Sequence, residues 1–303
     1  TGRAVEHDLW SVTVIGPESG QLTVMNAYCE HLGAHLGYGG KVCGEVLQCP
    51  FHGWQWNSKG RNVCIPYQDK PNRGRRITTY PVLERNESVY IWNDAQGREP
   101  YFDAPDVFAS FDDRTPADYY PQQRLFRPHL ELHPQYVLEN GVDFAHFKYV
   151  HQTPIVPVFT RHDFAEPVSY VDFTITFQGD DGQSIEDVNS GVEAINGGLG
   201  IAVTKSWGMI DNRTISAITH VDESTSDVRF MVYIGRTQSR DAAKAEARAN
   251  EFGREVIRQF EQDIHIWSHQ RYSDPPALAT AEYEGFTAIR RWAKQFYPDG
   301  IGG

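Results

Sequence analysis

Along the first hundred residues, apolar side chains come in short runs separated by turn-forming residues. The runs at 9–15 and 22–25 flank Gly16-Pro17-Glu18-Ser19-Gly20, a hairpin signal. The run at 46–49 follows a Gly-rich stretch, that at 54–56 ends in Asn57-Ser58-Lys59-Gly60, and Val89-Tyr90-Ile91-Trp92 closes the series. Short strands at this spacing predict an all-β domain, a small barrel or sandwich, over residues 1–103.

The pattern then changes. Residues 104–123 are rich in Pro, Asp and Tyr without periodicity and read as the connection to a second domain, 104–303. A strand is predicted over 124–132 and a helix over about 134–150, with Pro134 tolerated in its first turn. Val171-Asp172-Phe173-Thr174-Ile175-Thr176-Phe177 alternates strictly, and 206–210, 214–221 and 230–234 read as further strands. The Gly- and acid-rich stretch 180–200 reads as a mobile loop, and a long helix is expected over about 241–269. An antiparallel sheet wrapped around a long C-terminal helix is an α+β, helix-grip arrangement.

Composition narrows the function. A chain of 303 residues has room for two domains. With 28 Lys+Arg against 40 Asp+Glu, the net charge is 28 − 40 = −12, which argues against sequence-independent nucleic-acid binding. No apolar run reaches the length of a membrane-spanning helix. The opening Thr1-Gly2-Arg3 leads into strand-like sequence, not a signal peptide, and carries no initiator Met. Four cysteines are too few for a disulfide framework in a chain this long and suit a reducing cytoplasm. Twelve histidines become informative only where they cluster with cysteines or carboxylates.

They cluster twice. Cys29-Glu30-His31 is followed, after seventeen residues, by Cys49-Pro50-Phe51-His52. Two thiolates and two imidazoles suit zinc or an iron–sulfur cluster. Zinc fingers usually pair like with like at other spacings, whereas here each loop offers one Cys and one His. A Rieske [2Fe–2S] cluster needs two Cys on one iron and two His on the other. Residues 29–60 resemble the Rieske motif, including the Gly53-Trp54 that follows the last ligand. Cys43 and Cys64 are left over and read as small buried or half-buried residues, with a disulfide between them as the alternative.

In the second cluster, Asn140, Asp143 and His146 are three apart, along one side of the expected helix. His151 lies about 140° further round an ideal helix, so both histidines reach one ion only if the helix ends or bulges between them; Pro154 supports an ending. Non-heme Fe(II) with open positions takes two His and one carboxylate. On the late helix, Phe252, Val256, Ile257, Ile264 and Trp267 fall within about 80° of Phe260, and Asp263 lies inside that apolar arc. Glu261, Gln262 and His265 point elsewhere. A carboxylate on a buried face is costly unless paired or metal-bound, so Asp263 is the expected third ligand.

The pattern Asn-x-x-Asp-x-x-His-x-x-x-x-His resembles the mononuclear-iron motif of the Rieske non-heme iron oxygenases, in which the carboxylate also comes from a late helix. The resemblance implies that His146, His151 and Asp263 bind iron and that Asn140 lies near it. It implies that Asp143 bridges His146 to the cluster ligand His52 of a neighbouring subunit, within a homotrimer. It also implies electrons from a reductase or ferredoxin that draws on NAD(P)H, O2 as co-substrate, and an N-terminal segment longer than the one here. A hydrophobic, uncharged substrate fits the apolar and aromatic strands. Residues 31–36, 39–42, 260–267 and 290–297 are most similar to the steroid-acting subgroup that contains the 3-ketosteroid 9α-hydroxylase oxygenases. The expectation is a monooxygenase acting on a 3-ketosteroid-like compound. An aromatic-ring dioxygenase or O-demethylase is the nearest alternative, and an electron carrier without catalysis is the alternative of another class.

Overall fold

The computed structural model describes residues 4–297 apart from 8–9, 16–19, 95, 153–154, 166, 179–183, 209, 223 and 238. The expected turn at 16–19 and Pro154 therefore lie outside the described residues. The chain divides into two units between Pro100 and Tyr101.

The first unit is all β. Strands β1 (Ala4–His7), β2 (Trp10–Ile15) and β3 (Thr23–Asn26) form an antiparallel sheet. Then come β4 (Lys41–Cys43), β5 (Val46–Gln48), β6 (Gln55–Asn57) and β7 (Asn62–Cys64), a four-stranded meander. β8 (Thr79–Tyr80) returns to pair with β3, and β9 (Val82–Arg85) and β10 (Ser88–Ile91) make a hairpin. Met25, Leu36, Leu47, Trp56, Ile65 and Ile77 pack around Cys29 and Cys49. The two cysteines thus sit in the core from which the flanking loops emerge. Cys43 and Cys64 are free, and Cys43 is exposed, so the disulfide alternative fails and Cys43 is not the buried residue expected.

The second unit is a seven-stranded antiparallel sheet with helices. Its elements are β11 (Gln123–Leu130), α1 (Pro134–Glu139), α2 (His146–Tyr149), β12 (Ile155–Asp163), β13 (Val168–Gln178) and β14 (Ser184–Gly197). They continue with β15 (Ile201–Trp207), β16 (Asn212–His220), β17 (Ser226–Ile234), α3 (Ala242–Trp267) and α4 (Tyr283–Ala293). The sheet order is β11-β17-β16-β15-β14-β13-β12. Successive side chains alternate between its faces. One face packs Leu125, Phe230 and Val232 against Phe252, Phe260, Ile264 and Trp267 of α3, and Val171 against Ile289 and Trp292 of α4. The buried or half-buried positions 249, 253, 256, 260, 263/264 and 267 recur with the helical period, which is why one long amphipathic helix covers this face. Asp241 caps its start by accepting from the Lys244 N–H at 3.0 Å.

Several expectations need correction. Residues 104–123 are not a plain connection: Val107, Phe108 and Tyr119 pack with Ile195, Val203, Ile215, Met231 and Tyr233 on the other face of the sheet. Arg213, fully buried, fastens this segment through Asp112 at 2.7 Å. The expected loop at 180–200 is largely the 14-residue strand β14, paired on both sides. Its acidic and glycine-rich composition has weak β propensity, but pairing overrides propensity in a central strand. Gly191 is there because a Cβ would come within 2.8 Å of the Trp207 indole. The strand expected at 206–210 is β15, several residues earlier, and β12 and α4 were not anticipated. The helix expected over 134–150 is broken. α1 stops at Glu139, a 3-10 turn spans Asn140–Val142, Asp143 is extended (φ −88°, ψ 106°), and α2 is a single turn.

Candidate metal centres

In the first unit, the two loops bearing the Cys-His pairs share one backbone plan. Cys29 N–H donates to the Ala34 carbonyl (2.9 Å) and Gly33 N–H to the Cys29 carbonyl (2.9 Å). Cys49 N–H donates to the Trp54 carbonyl (2.8 Å) and Gly53 N–H to the Cys49 carbonyl (3.1 Å). Gly33 and Gly53 both adopt φ +72°, a left-handed conformation that closes each loop and favours glycine. Each loop therefore presents its cysteine inward and its histidine at the tip.

The four side chains sort into two pairs. The Cys29 and Cys49 thiols interact with each other; burial and that contact push Cys29 up to about 11, against a hydrogen bond from the His31 N–H. The His31 and His52 rings lie 4.8 Å apart at 72°, and Trp54 stacks on His31 at 4.3 Å. A separate thiol pair and imidazole pair is what a two-iron cluster requires, while a single tetrahedral zinc would draw all four ligands to one point. His52 Nδ1 is buried with no hydrogen-bond partner. A buried ring nitrogen without a partner is costly, and a metal bond is the natural way to satisfy it. The residues present therefore fit a Rieske cluster.

In the second unit, the structure brings together His146, His151 and Asp263. One ligand atom from each lies within 4.8 Å of the others, and among the described residues no other group of three converges in this way. His151 Nε2 stands 3.5 Å from Asp263 Oδ1, and the two imidazoles are 5.2 Å apart at 80°. The break in the expected helix makes this possible: α2 ends at Tyr149, between the two histidines, so His151 turns back beside His146. Asp263 is buried on the sheet-facing side of α3.

The ring nitrogens are already sorted. His146 Nδ1 donates to the Asp143 carbonyl at 2.7 Å, since a carbonyl can only accept. Its Nε2 is left facing the Asn140 amide nitrogen at 3.4 Å. His151 Nδ1 meets Gln262 Oε1 at 3.2 Å, which leaves its Nε2 for Asp263 and a metal. Burial works against a proton on His151, but the Asp263 carboxylate and the Gln262 hydrogen bond outweigh it and raise its pKa. Asp143 is not stacked below His146 on a helix as expected. It leaves the helix, and its Oδ1 caps α2 by accepting from the Ala145 and His146 N–H groups at 2.9 and 3.2 Å. Burial raises the Asp143 pKa, but its bonds and attraction to His146 prevail and hold it below the usual carboxylate range. Its side chain remains partly exposed.

Two contributors escaped the sequence reading. Gln262, expected to point away, reaches His151. Glu139 is buried under Arg290, which donates to it twice at 2.9 Å, and Gln135 donates to it at 2.7 Å. This clamp between α1 and α4 anchors the residue immediately before Asn140. No short-range pattern signals the Gln262–His151 or the Glu139–Arg290 contact, because each joins residues distant in sequence.

Two histidines and a carboxylate that could form a 2-His-1-carboxylate site, and two loops that fit a Rieske cluster, agree with what the chain resembles. Residues 2–81 match the Rieske [2Fe-2S] domain family, and residues 91–297 match the 3-ketosteroid 9alpha-hydroxylase C-terminal domain family. A 3-ketosteroid-9-alpha-monooxygenase oxygenase component of Rhodococcus rhodochrous is 30% identical over 95% of this chain and 77% of that protein. A cholesterol 7-desaturase of Caenorhabditis elegans is 25% identical over 98% of this chain and 74% of that protein. Dicamba monooxygenase bound to dicamba has the same fold, with a TM-score of 0.67 at 15% identity, over 98% of this chain and 92% of that one. The chain belongs to the Rieske non-heme iron oxygenases, as an oxygenase component whose catalytic unit is of the 3-ketosteroid 9α-hydroxylase C-terminal domain family.

Proposed function

We propose that this protein hydroxylates a 3-ketosteroid-like substrate, with Cys29, His31, Cys49 and His52 holding the cluster and His146, His151 and Asp263 holding the iron. The observation that carries the reading is the convergence of those last three side chains on one point. When bound, the cluster relays single electrons supplied by a reductase or ferredoxin, and the non-heme iron activates O2. The chain's own residues do the rest. The Nδ1 bonds of His146 and His151 aim both Nε2 lone pairs at the iron position. The Asn140 amide stands beside His146 Nε2. Phe147, Phe159 and Phe173, packed edge to face, shield this side from water.

The sheet supports an apolar substrate with a polar end. On its helix-covered face, the register sets Ala194, Thr204 and Thr214 side by side, and beside them Asn196, Ala202 and Ser216. Thr204 and Thr214 hydroxyls share a hydrogen bond of 2.6 Å. Small and hydroxyl-bearing side chains in the middle of an otherwise apolar face can offer donors to a ketone or hydroxyl. The steroid reading draws on this row together with the substrates named for the relatives.

A homotrimer is part of the proposal, with Asp143 of one subunit passing electrons to its own iron site from His52 of a neighbour. Exposed Tyr28, Leu32, Tyr38 and Phe51 around the cluster loops support it, since apolar side chains clustered on a surface mark an interface. No helix among the described residues is long and apolar enough to cross a membrane. Free cysteines and an iron–sulfur cluster favour the cytoplasm.

The test is product analysis after turnover with a reductase, NAD(P)H and a panel of 3-ketosteroids, cholesterol and methoxybenzoates. A hydroxylated 3-ketosteroid is expected. Turnover of a methoxybenzoate with no conversion of any steroid would overturn the reading in favour of an O-demethylase.

A further inference from the structure

We infer that Gln262 is a positioning residue for the iron site, fixing the tautomer and the ring orientation of His151. The inference rests on the reading above that His151 is an iron ligand. An amide oxygen can only accept, so the 3.2 Å contact between Gln262 Oε1 and His151 Nδ1 holds the proton on Nδ1, and in the neutral ring, the form that binds a metal, the lone pair is then on Nε2. On the other side of the ring, Asp263 Oδ1 lies 3.5 Å from Nε2, so Gln262 is the group that fixes the ring at Nδ1. Adjacent residues of α3 thus supply an iron ligand and the group that aims another ligand. His146 is served differently: its Nδ1 is held by the backbone carbonyl of Asp143, which no side-chain change removes.

The need for a side chain at this point follows from the surroundings. Gln262 lines an open cavity of about 490 Å³ together with Tyr149, Val150, Arg258, His265 and Ile266. Gln262 stands between this groove and His151 Nδ1, so removing the amide would let water reach the ring and make available the Nε2–H tautomer, which cannot bind the iron through Nε2. Partners that orient ligating histidines are typically worth about 10–100-fold in metal affinity. Gln262 is therefore expected to tighten iron binding by roughly that factor.

The experiment uses the full chain with its cluster assembled and titrates Fe(II) against a competing chelator at fixed pH. The cluster's visible spectrum and a thermal melt report on folding. Gln262→Leu should weaken Fe(II) binding about 10–100-fold and alter the nitrosyl EPR signal of the mononuclear site. Gln262→Glu, which keeps an acceptor oxygen at the same reach, should restore both. Gln262→Ala serves in place of Leu if that variant does not fold, with the same expectation. Parent-like affinity and signal in the Leu or Ala variant, or failure of the Glu variant to restore them, would overturn the inference. His151→Ala is the control for the underlying reading: if it retains the iron, the ligand assignment has failed. If it loses the iron while Gln262→Leu does not, only the role of Gln262 has failed.

Discussion

His151 Nε2 lies 3.5 Å from Asp263 Oδ1, so an imidazole just beyond the single-turn helix α2 and a carboxylate on the long helix α3 face one point. Replacing His151 by Ala should therefore abolish the mononuclear iron and leave the cluster intact. Metal analysis should fall from about three irons per chain to about two, with the visible spectrum of the [2Fe–2S] cluster unchanged. An undiminished iron content would remove His151 from the ligand set.

Asp143 calls for a different substitution from the obvious one. Its carboxylate caps α2, so Asp143→Ala would cost about 0.5–2 kcal/mol through the lost cap alone and confuse the result. Asn is as good a cap and carries no charge. Asp143→Asn should keep both metals and the parent stability yet slow electron transfer from the reduced cluster to the iron. Single-turnover oxidation of the pre-reduced protein with substrate and O2 reads this directly. Oxidation at the parent rate would show that the carboxylate is not the bridge.

What was legible in the chain depended on range. The cluster loops could be read because each Cys-His pair is local and each loop is closed by its own glycine, Gly33 or Gly53. The burial of Asp263 is legible because a carboxylate on the apolar arc of a helix is a conflict visible at the 3.6-residue period. The contact of Gln262 is not: helical angle places the residue off that arc, but a side chain with three rotatable bonds reaches beyond its own sector. β14 reads as a loop in the sequence because its Gly, Asn and acidic residues are poor strand formers, and only pairing with β13 and β15, together with the close approach at Trp207, makes sense of them. The break at Asp143 was hidden for a related reason. Asn, Asp and His three apart look helical, whereas Asp in a strand-like conformation capping the next turn is equally in keeping with its chemistry.

The Glu139–Arg290 pair carries a stability prediction. Both side chains are largely buried, with two hydrogen bonds of 2.9 Å between them. Arg290→Met would leave the Glu139 carboxylate buried without its counter-charge, a loss of about 3–5 kcal/mol. Adding Glu139→Gln to that variant removes the orphaned charge and should recover much of the loss. Chemical denaturation of the two single variants and the double variant completes the cycle. Equal destabilisation by Arg290→Met in both backgrounds would mean that the pair is not coupled.

His133 makes the fold sensitive to acid. Its Nδ1 accepts from the Gln135 N–H at 3.1 Å and so caps α1, which only the neutral ring can do. Burial, together with His220 4.8 Å away, lowers its pKa to about 4 from an ordinary 6.5, and burial lowers His220 as well. The folded pKa lies below the unfolded one, so between these values the unfolded chain binds the extra proton. Stability is therefore fully present above about pH 6.5, declines as pH falls through this window, and levels off for this group below about 4. His133→Asn keeps a capping oxygen and cannot titrate. Thermal melts at pH 7 and pH 5 should show a smaller drop in Tm for this variant than for the parent. If the two drops are equal, His133 is not the group that senses acid, and the loss must be assigned to His220 and the other titrating groups.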